Sequence, residues 1–376
     1  MRFRKFLATI LKRILPRILV LRIRWLEDSI RTEFNYRFNH DVYKHGLAQI
    51  AHTPVVLDIE ATNICNAACV FCAYPQMERQ KTTMTMELFC RVVTDYLDMG
   101  GHRIDLTPVV GDCFVDRHLQ ERLTWLFHEP RVHEILIITN AIKMSDARCE
   151  QLLAFGEKVK LNISWGGFDS ESYKTYMGVG RFDQVNRNVT NLVEKKIATG
   201  SPLDVMVSIR SPSDVNRGPV YEKLRKWKER GIIKFGGECL SYGNWVGKIA
   251  PETLRAVNLI PTLAPNKKGP CSWLVTQPVV LADGRVNACS CMDVEAQLTI
   301  GDVNQNSLQH IWFGGKHREF ISEHELGNYP EVCQRCNFYS SVYNSHRAMY
   351  SGRLWRSKSP ADENTRPDEA LLPIVD

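Results

Sequence analysis

The feature that most constrains the fold is the alternation, from residue 55 onward, of short β-branched segments with longer segments of helical period. Such alternation is typical of repeated βα units around a parallel sheet. It predicts six strands, at Val55–Glu60, Arg103–Pro108, Glu134–Asn140, Val159–Trp165, Asp204–Arg210 and Ile232–Leu240. It also predicts helices between them, at Met86–Met99, His118–His128, Ser145–Phe155, Phe182–Thr199 and Pro219–Arg230. These units indicate an α/β fold, a partial (βα)6 barrel that is open on one side.

Polar or glycine-containing segments follow several of the predicted strands. They are Gly111-Asp112, Thr139-Asn140, Ser164 and Arg210. In sheets of this kind, ligands bind at the carboxyl ends of the strands. We therefore expect these residues to lie on one rim, together with the segment that follows the first strand.

That segment contains three cysteines, Cys65, Cys69 and Cys72, within eight residues. The chain has 12 cysteines in 376 residues. This number is too small for a disulfide scaffold, and the clustering favours metal ligation in a reducing compartment such as the cytoplasm. A structural zinc site normally has four protein ligands, whereas three ligands leave one position for another molecule. Zinc binding and simple burial of the thiols are the alternatives.

The pattern C-x3-C-x-aromatic-C, with Phe71 before Cys72, resembles the signature loop of the radical S-adenosylmethionine (SAM) superfamily. The resemblance implies a [4Fe–4S] cluster that is bound by Cys65, Cys69 and Cys72 and whose fourth iron binds SAM. It also implies a 5′-deoxyadenosyl radical that abstracts a hydrogen atom from the substrate, with the cofactor supplying the radical chemistry. A flavodoxin- or ferredoxin-type reductant would supply the electron.

Gly111-Asp112 resembles the Gly-Glu element of this family, which helps to hold the amino group of SAM. This segment departs from that element at two positions, because Asp replaces Glu and Cys113 stands where proline is common. A helix N-cap is the alternative role for Asp112.

Three further rim elements extend the resemblance. Asn140, with Thr139, is similar to a Thr-Asn element on the third strand, Ser164 to a serine that contacts the ribose, and Arg210 to a contact of the SAM carboxylate. The alternatives are a backbone-bonded hydroxyl for Ser164 and an ion pair for Arg210.

A second cysteine-rich segment, 271–345, follows a linker at 251–270. Its spacing resembles the SPASM extension of radical SAM enzymes, in the shortened "twitch" form of 2-deoxy-scyllo-inosamine dehydrogenase-type enzymes. Asp283-Gly284 favours a tight hairpin turn. The resemblance implies one auxiliary [4Fe–4S] cluster, bound by Cys271, Cys289, Cys333 and Cys336. Cys291 is the alternative to Cys289 as a ligand. A zinc site with four cysteine ligands has similar spacing.

An auxiliary cluster with four protein ligands has no free iron, so its use would be electron transfer. We predict that it accepts the electron left after hydrogen abstraction, and that the enzyme oxidises an alcohol of a sugar, cyclitol or glycoconjugate. One alternative is an epimerase in which Cys239 returns a hydrogen atom and Glu238 is a base or hydrogen-bond acceptor. The others are a dehydratase, a peptide-modifying maturase, and a non-enzymatic zinc protein on a membrane surface.

Residues 1–50 form a basic segment with an amphipathic helical pattern, because eight basic residues precede the first acidic one, Glu27. Beyond Glu27 the chain is close to neutral, so we expect no nucleic-acid partner. The basic residues interrupt the roughly 20-residue apolar span that a bilayer requires. Residues 1–30 are therefore predicted to lie on an anionic membrane surface or to pack on the protein body. Residues 51–250 are assigned to the radical SAM core and 346–376 to a disordered tail.

Overall fold

A computed structural model describes residues 17–41, 43, 53–107, 109–236, 239 and 241–344 of the chain. Residues 1–16, Glu238 and the predicted tail at 346–376 lie outside the described residues. In the described part, no helix is long and apolar enough to cross a membrane.

The strands are β1 (Leu57–Ile59), β2 (Arg103–Asp105), β3 (Glu134–Thr139), β4 (Val159–Trp165), β5 (Asp204–Ile209), β6 (Lys234–Gly236), β7 (Val279–Val280), β8 (Arg285–Asn287) and β9 (Thr299–Asp302). The helices are α1 (Arg17–Phe38), α2 (Met86–Asp98), α3 (Leu119–His128), α4 (Asp146–Ala154), α5 (Ser170–Met177), α6 (Phe182–Thr199), α7 (Pro219–Glu229), α8 (Pro251–Arg255), α9 (Ser272–Thr276), α10 (Leu308–Trp312), α11 (Gly315–Glu325) and α12 (Glu331–Arg335).

These strands form one sheet in the order β6-β5-β4-β3-β2-β1-β7-β8-β9. Strands β1 to β6 pair in parallel with their neighbours, which confirms the predicted α/β class. Strand β7 also pairs in parallel with β1, through Asp58 with Val279 and Ile59 with Val280. Strands β7, β8 and β9 pair antiparallel. The second cysteine-rich segment therefore continues the sheet of the core.

Two elements, Val159–Trp165 and Phe182–Thr199, have the predicted bounds, and most others are shorter by one to three residues. Within the predicted strand Ile232–Leu240, the structure assigns β6 to Lys234–Gly236. Helix α5 was not predicted. It begins with a capping box, in which the Asp169 carboxylate accepts from the backbone N–H of Ser172 at 2.8 Å.

The sheet has one apolar face and one face that carries buried polar side chains. In β1, Leu57 and Ile59 are fully buried in the main hydrophobic core, together with residues of α2. Because side chains alternate along a strand, Asp58 lies on the other face. It pairs with Asp105 of β2 in the sheet register, and burial raises the pKa of both carboxyls, that of Asp105 to about 7. This face therefore offers polar groups to a ligand.

Candidate active site

The three cysteines of the first motif lie on the loop after β1, at the carboxyl end of the parallel strands. The side chain of Asn63 stabilises this loop, because it donates to the Gln80 carbonyl at 2.9 Å and accepts from the Thr82 N–H at 2.8 Å. Gly111 approaches the same loop closely. Its φ is 123°, and a Cβ there would lie 2.8 Å from the Thr62 carbonyl oxygen. The loop therefore needs glycine at 111.

The carboxyl end of α5 contacts the cysteine loop directly. The N–H groups of Ala68 and Val70 donate to the carbonyls of Met177 and Tyr176, at 3.2 and 3.1 Å. The Cys69 Sγ also lies 4.0 Å from the Met177 Sδ. The last turn of a helix has carbonyls without intrahelical partners. Helix α5 therefore uses those carbonyls to fix the backbone between Cys65 and Cys72.

All three cysteines are free thiols and half-buried. Burial raises the pKa of Cys65 to about 12 and that of Cys72 to about 11, and it raises the pKa of Cys69 well above its ordinary value. The neighbouring Asp112 carboxylate adds to the rise at Cys65, and the Cys72 thiolate adds to it at Cys69. Thiolate is the form that binds metal, so metal binding here would release protons.

Asp112 is buried and has partners within the fold. Its carboxylate accepts from the Phe114 N–H at 2.9 Å, the Asn140 N–H at 2.7 Å and the Thr139 hydroxyl at 2.9 Å. Burial raises its pKa to about 6. The contact with Phe114 is the N-cap that the sequence allowed as an alternative. Asp112 therefore fixes the loops after β2 and β3 beside the cysteines, and its contact with SAM stays a prediction.

The other predicted rim residues lie beside the cysteine loop. The Asn140 side chain donates to the Asn66 Oδ1 at 2.8 Å and lies 3.8 Å from the Cys65 Sγ. The Arg210 Nε donates to the Ser164 Oγ at 3.3 Å. The charge of Arg210 also lowers the pKa of Cys69, although burial dominates there. The structure thus brings the predicted rim residues together.

Two tyrosines at this site were not predicted. Tyr173 of α5 is fully buried, and its hydroxyl has no hydrogen-bond partner among the described residues. Burial, followed by the charges of Cys69, Asp112 and Cys65, raises its pKa. The ring of Tyr242 stacks on Phe71, with 5.0 Å between the centroids. Tyr173 could have been found from sequence only after α5 had been recognised.

A cavity in the second module is lined by all five of its cysteines, together with apolar and aromatic side chains. The cysteines are Cys271, Cys289, Cys291, Cys333 and Cys336. All are free and half-buried. Burial raises their pKa values, that of Cys271 to about 12 and that of Cys289 to about 11. Thiolates are the usual ligands of iron–sulfur clusters, so this donor set fits the predicted auxiliary cluster.

Backbone N–H groups point toward two of these sulfurs. The Ser340 N–H lies 3.5 Å from the Cys271 Sγ, and the Phe338 N–H lies 3.3 Å from the Cys336 Sγ. Such contacts tune the potential of a bound cluster. Cys289 and Cys291 both line the cavity, so the choice between them stays open.

A three-residue turn, Trp245–Gly247, connects the two cysteine regions. The Trp245 indole N–H donates to the Phe71 carbonyl at 2.8 Å, between two cysteines of the first loop. The next residue, Val246, lines the cavity of the second module. Both residues have a positive φ, 48° and 54°, which is uncommon for a non-glycine residue and an outlier for β-branched valine. No local pattern in the sequence predicts this connection.

Cys239 lies after β6, and its Sγ lies 2.9 Å from the Ser241 carbonyl oxygen. Burial raises its pKa, and the charge of Arg210 acts in the opposite direction. Cys239 is therefore near the same rim, whereas Glu238 is outside the described residues. In the described part of the chain, no three His, Cys, Asp or Glu side chains converge on the position of a single metal ion.

Comparison with protein families gives two matches. Residues 59–210 match the radical SAM superfamily, and residues 271–337 match the iron–sulfur cluster-binding domain called SPASM. The matches confirm the predicted families. A radical SAM domain implies SAM and a [4Fe–4S] cluster, and a SPASM domain implies auxiliary iron–sulfur clusters, so the predicted cofactor classes are confirmed as well.

Two characterised proteins are similar to parts of the chain. GTP 3′,8-cyclase of Desulforamulus reducens is 23% identical over 144 residues, which are 38% of this chain and 43% of that protein. The antilisterial bacteriocin subtilosin biosynthesis protein AlbA of Bacillus subtilis is 22% identical over 194 residues, 51% of this chain and 40% of that protein. The match spans less than half the length of either relative.

Two solved structures are similar to the chain. Native anSMEcpe with bound AdoMet has a TM-score of 0.50 and 16% identity, and the match covers 80% of this chain and 97% of that one. BtrN in complex with AdoMet and 2-DOIA has a TM-score of 0.48 and 18% identity, and the match covers 75% of this chain and 92% of that one. At these identities the similarity to anSMEcpe shows a common fold.

Proposed function

We propose that this chain, which contains a radical SAM domain followed by a SPASM domain, oxidises an alcohol of a small hydroxylated substrate such as a sugar, cyclitol or glycoconjugate. Cys65, Cys69 and Cys72 would hold a [4Fe–4S] cluster, and the four cysteines 271, 289, 333 and 336 an auxiliary one. When bound, the clusters and SAM supply radical formation and electron acceptance, and the protein supplies placement.

One observation carries this proposal: two groups of free thiols, each at a site that fits a cluster, are joined through a single turn. The Trp245 N–H reaches the backbone of the first cysteine loop, and Val246 lines the cavity of the second. An oxidation needs an electron acceptor near the radical site. The connection between the two regions supports the auxiliary site in that role.

The polar residues of the rim would position SAM and the substrate. Asn140 and Arg210 lie beside Cys65 and Cys69, with side-chain N–H groups that suit the carboxylate of SAM. On the polar face of the sheet, the carboxyls of buried Asp58 and half-buried Asp105 suit substrate hydroxyl groups. A substrate rich in hydroxyls matches such acceptors better than an apolar one.

The partners that we propose are the small-molecule or glycoconjugate substrate and a flavodoxin- or ferredoxin-type reductant in the cytoplasm. An epimerase remains the second candidate, because Cys239 lies near Arg210 at the rim and could return a hydrogen atom. A dehydratase of the same substrates would use the same site. Similarity to AlbA keeps a peptide-modifying maturase as a further candidate.

The test is anaerobic reconstitution of the full chain with iron and sulfide, followed by SAM and dithionite. We expect two clusters per chain, formation of 5′-deoxyadenosine, and deuterium transfer to it from a labelled polyol substrate. Cys65→Ala should abolish SAM cleavage, and Cys333→Ala should retain cleavage while losing the oxidised product. Cys90→Ala is the matched control, because Cys90 is also half-buried but lies on α2 outside both groups.

Two results would decide against this function. A protein that holds zinc and no sulfide would exclude both clusters. A product of inverted configuration, lost in Cys239→Ala and retained in Cys90→Ala, would replace the dehydrogenase with the epimerase.

A further inference from the structure

Helix α1 contacts the protein body through its polar side. Among its described side chains, Thr32 and Asn35 are buried, with exposed fractions of 3% and 8%. The Asn35 Nδ2 donates to the Tyr43 hydroxyl at 2.8 Å and to the Tyr343 carbonyl at 2.9 Å. At the edge of this side, the Trp25 indole donates to a backbone carbonyl at 2.7 Å. The helix is thus fixed to the body by specific hydrogen bonds.

The opposite side of α1 is an exposed apolar stripe, here called the outer face. Its side chains recur every three or four residues and are 40% to 71% exposed. They are Leu19, Ile23, Leu26, Ile30, Phe34 and Phe38. An amphipathic helix on a soluble protein normally turns its apolar stripe inward. In α1 the arrangement is reversed, and the stripe extends over about 30 Å of helix.

The charges near the outer face indicate what covers it. Arg22 and Arg37 are exposed beside the stripe, Arg37 pairs with Glu33 at 2.7 Å, and Glu27 is exposed as well. Before Glu27 the sequence has eight basic residues and no acidic one, and five of the eight lie in residues 1–16, outside the described part. The excess of basic residues in this part of the sequence favours an anionic partner over a second, equally basic copy. A surface with negative charge above an apolar layer complements both features.

We propose that the outer face of α1 binds the surface of a bilayer that contains anionic lipids. The apolar side chains would enter the boundary between headgroups and acyl chains, and the arginines would contact lipid phosphates. The polar side of α1 stays on the protein body, so docking needs no rearrangement of the helix. The interaction is independent of both clusters, and it can be tested on protein with or without them.

The test is co-sedimentation of the full chain with vesicles of phosphatidylcholine alone or mixed with phosphatidylglycerol. We expect binding to the mixed vesicles that weakens with added salt. Each of Ile23→Asp and Ile30→Asp should lower the partition coefficient roughly tenfold or more, because an apolar side chain is lost from the interface. Ile197→Asp is the matched control, since Ile197 is 43% exposed and Ile23 is 40% exposed.

Folding of the variants is checked by their unfolding midpoints, which should match that of Ile197→Asp. Absence of binding to the mixed vesicles would overturn the proposal. So would equal binding by the Ile23, Ile30 and Ile197 variants. A wild-type dimer that Ile30→Asp dissociates, without any vesicle binding, would show by light scattering that a second copy covers the outer face instead.

Discussion

Gly178, at the carboxyl end of α5, offers a direct test of how the cysteine loop is held. Its φ is 73°, and a Cβ there would lie 2.0 Å from the Ala68 carbonyl oxygen. Gly200 ends α6 with a similar φ of 64°, but a Cβ at that position would meet nothing within 4 Å. The two glycines therefore differ in one respect, the contact with the cysteine loop.

The expected magnitudes follow from this difference. Alanine in the left-handed region costs roughly 1–2 kcal/mol at either position. In Gly178→Ala the loop must also move by about 1.3 Å, because carbon and oxygen normally approach to about 3.3 Å. This movement disrupts the two hydrogen bonds from Ala68 and Val70 to α5, each worth about 1 kcal/mol. We expect Gly178→Ala to lose about 2 kcal/mol more stability than Gly200→Ala.

The assay combines anaerobic urea unfolding of the metal-free chain with iron and sulfide counts after reconstitution. Gly200→Ala should load both clusters like the wild type, whereas Gly178→Ala should load the auxiliary cluster and lose the one at the first loop. Equal losses of stability in the two variants, together with full iron content in Gly178→Ala, would refute the role assigned to α5.

Three further predictions concern single groups at the site. The Tyr173 hydroxyl has no hydrogen-bond partner among the described residues, so Tyr173→Phe should leave the stability of the metal-free chain unchanged. The cluster proposed at the first loop would lose a nearby hydrogen-bond donor and should become harder to reduce in potentiometric titration, and an unchanged potential would contradict this. Trp245→Phe removes the hydrogen bond to the Phe71 carbonyl and should lower the free energy of unfolding in urea by about 1 kcal/mol. The cluster proposed at the first loop should keep its iron but change its electron paramagnetic resonance spectrum. An unaltered spectrum would argue against the contact. Burial raises the pKa of Asp105 from 3.8 to about 7, so the folded chain retains a proton that the unfolded chain releases, and stability should fall as pH rises through this window. The free energy of unfolding of Asp105→Asn, measured relative to that of the wild type, should therefore be higher at pH 8 than at pH 5, by up to a few kcal/mol. A difference between the two proteins that does not vary with pH would count against the raised pKa.

Local patterns in the sequence predicted the parts of the site that depend on short-range order. The alternation of strands and helices predicted β4 and α6 residue for residue. The spacing of Cys65, Cys69 and Cys72 predicted the family that the comparisons found. Such patterns are visible because hydrophobic periodicity and ligand spacing are set by neighbours along the chain.

Other parts of the site depend on contacts between distant segments. Helix α5 is only eight residues long, and its function comes from carbonyls that face the cysteine loop more than 100 residues earlier. The pairing of β7 with β1 likewise joins segments that are about 220 residues apart. Neither contact leaves a periodic signal in the sequence.

The sequence by itself determined the parallel α/β core and the two groups of cysteines, because each of these follows from residue types at short spacing, and the motifs indicated the families that imply the cofactor classes. Only the tertiary structure decided that the second module extends the core sheet, that Trp245 connects the two cysteine regions, and that α1 turns its apolar side outward. Those features are set by packing and hydrogen bonds between remote segments, and a residue's partner across the fold is not encoded by its neighbours in the chain.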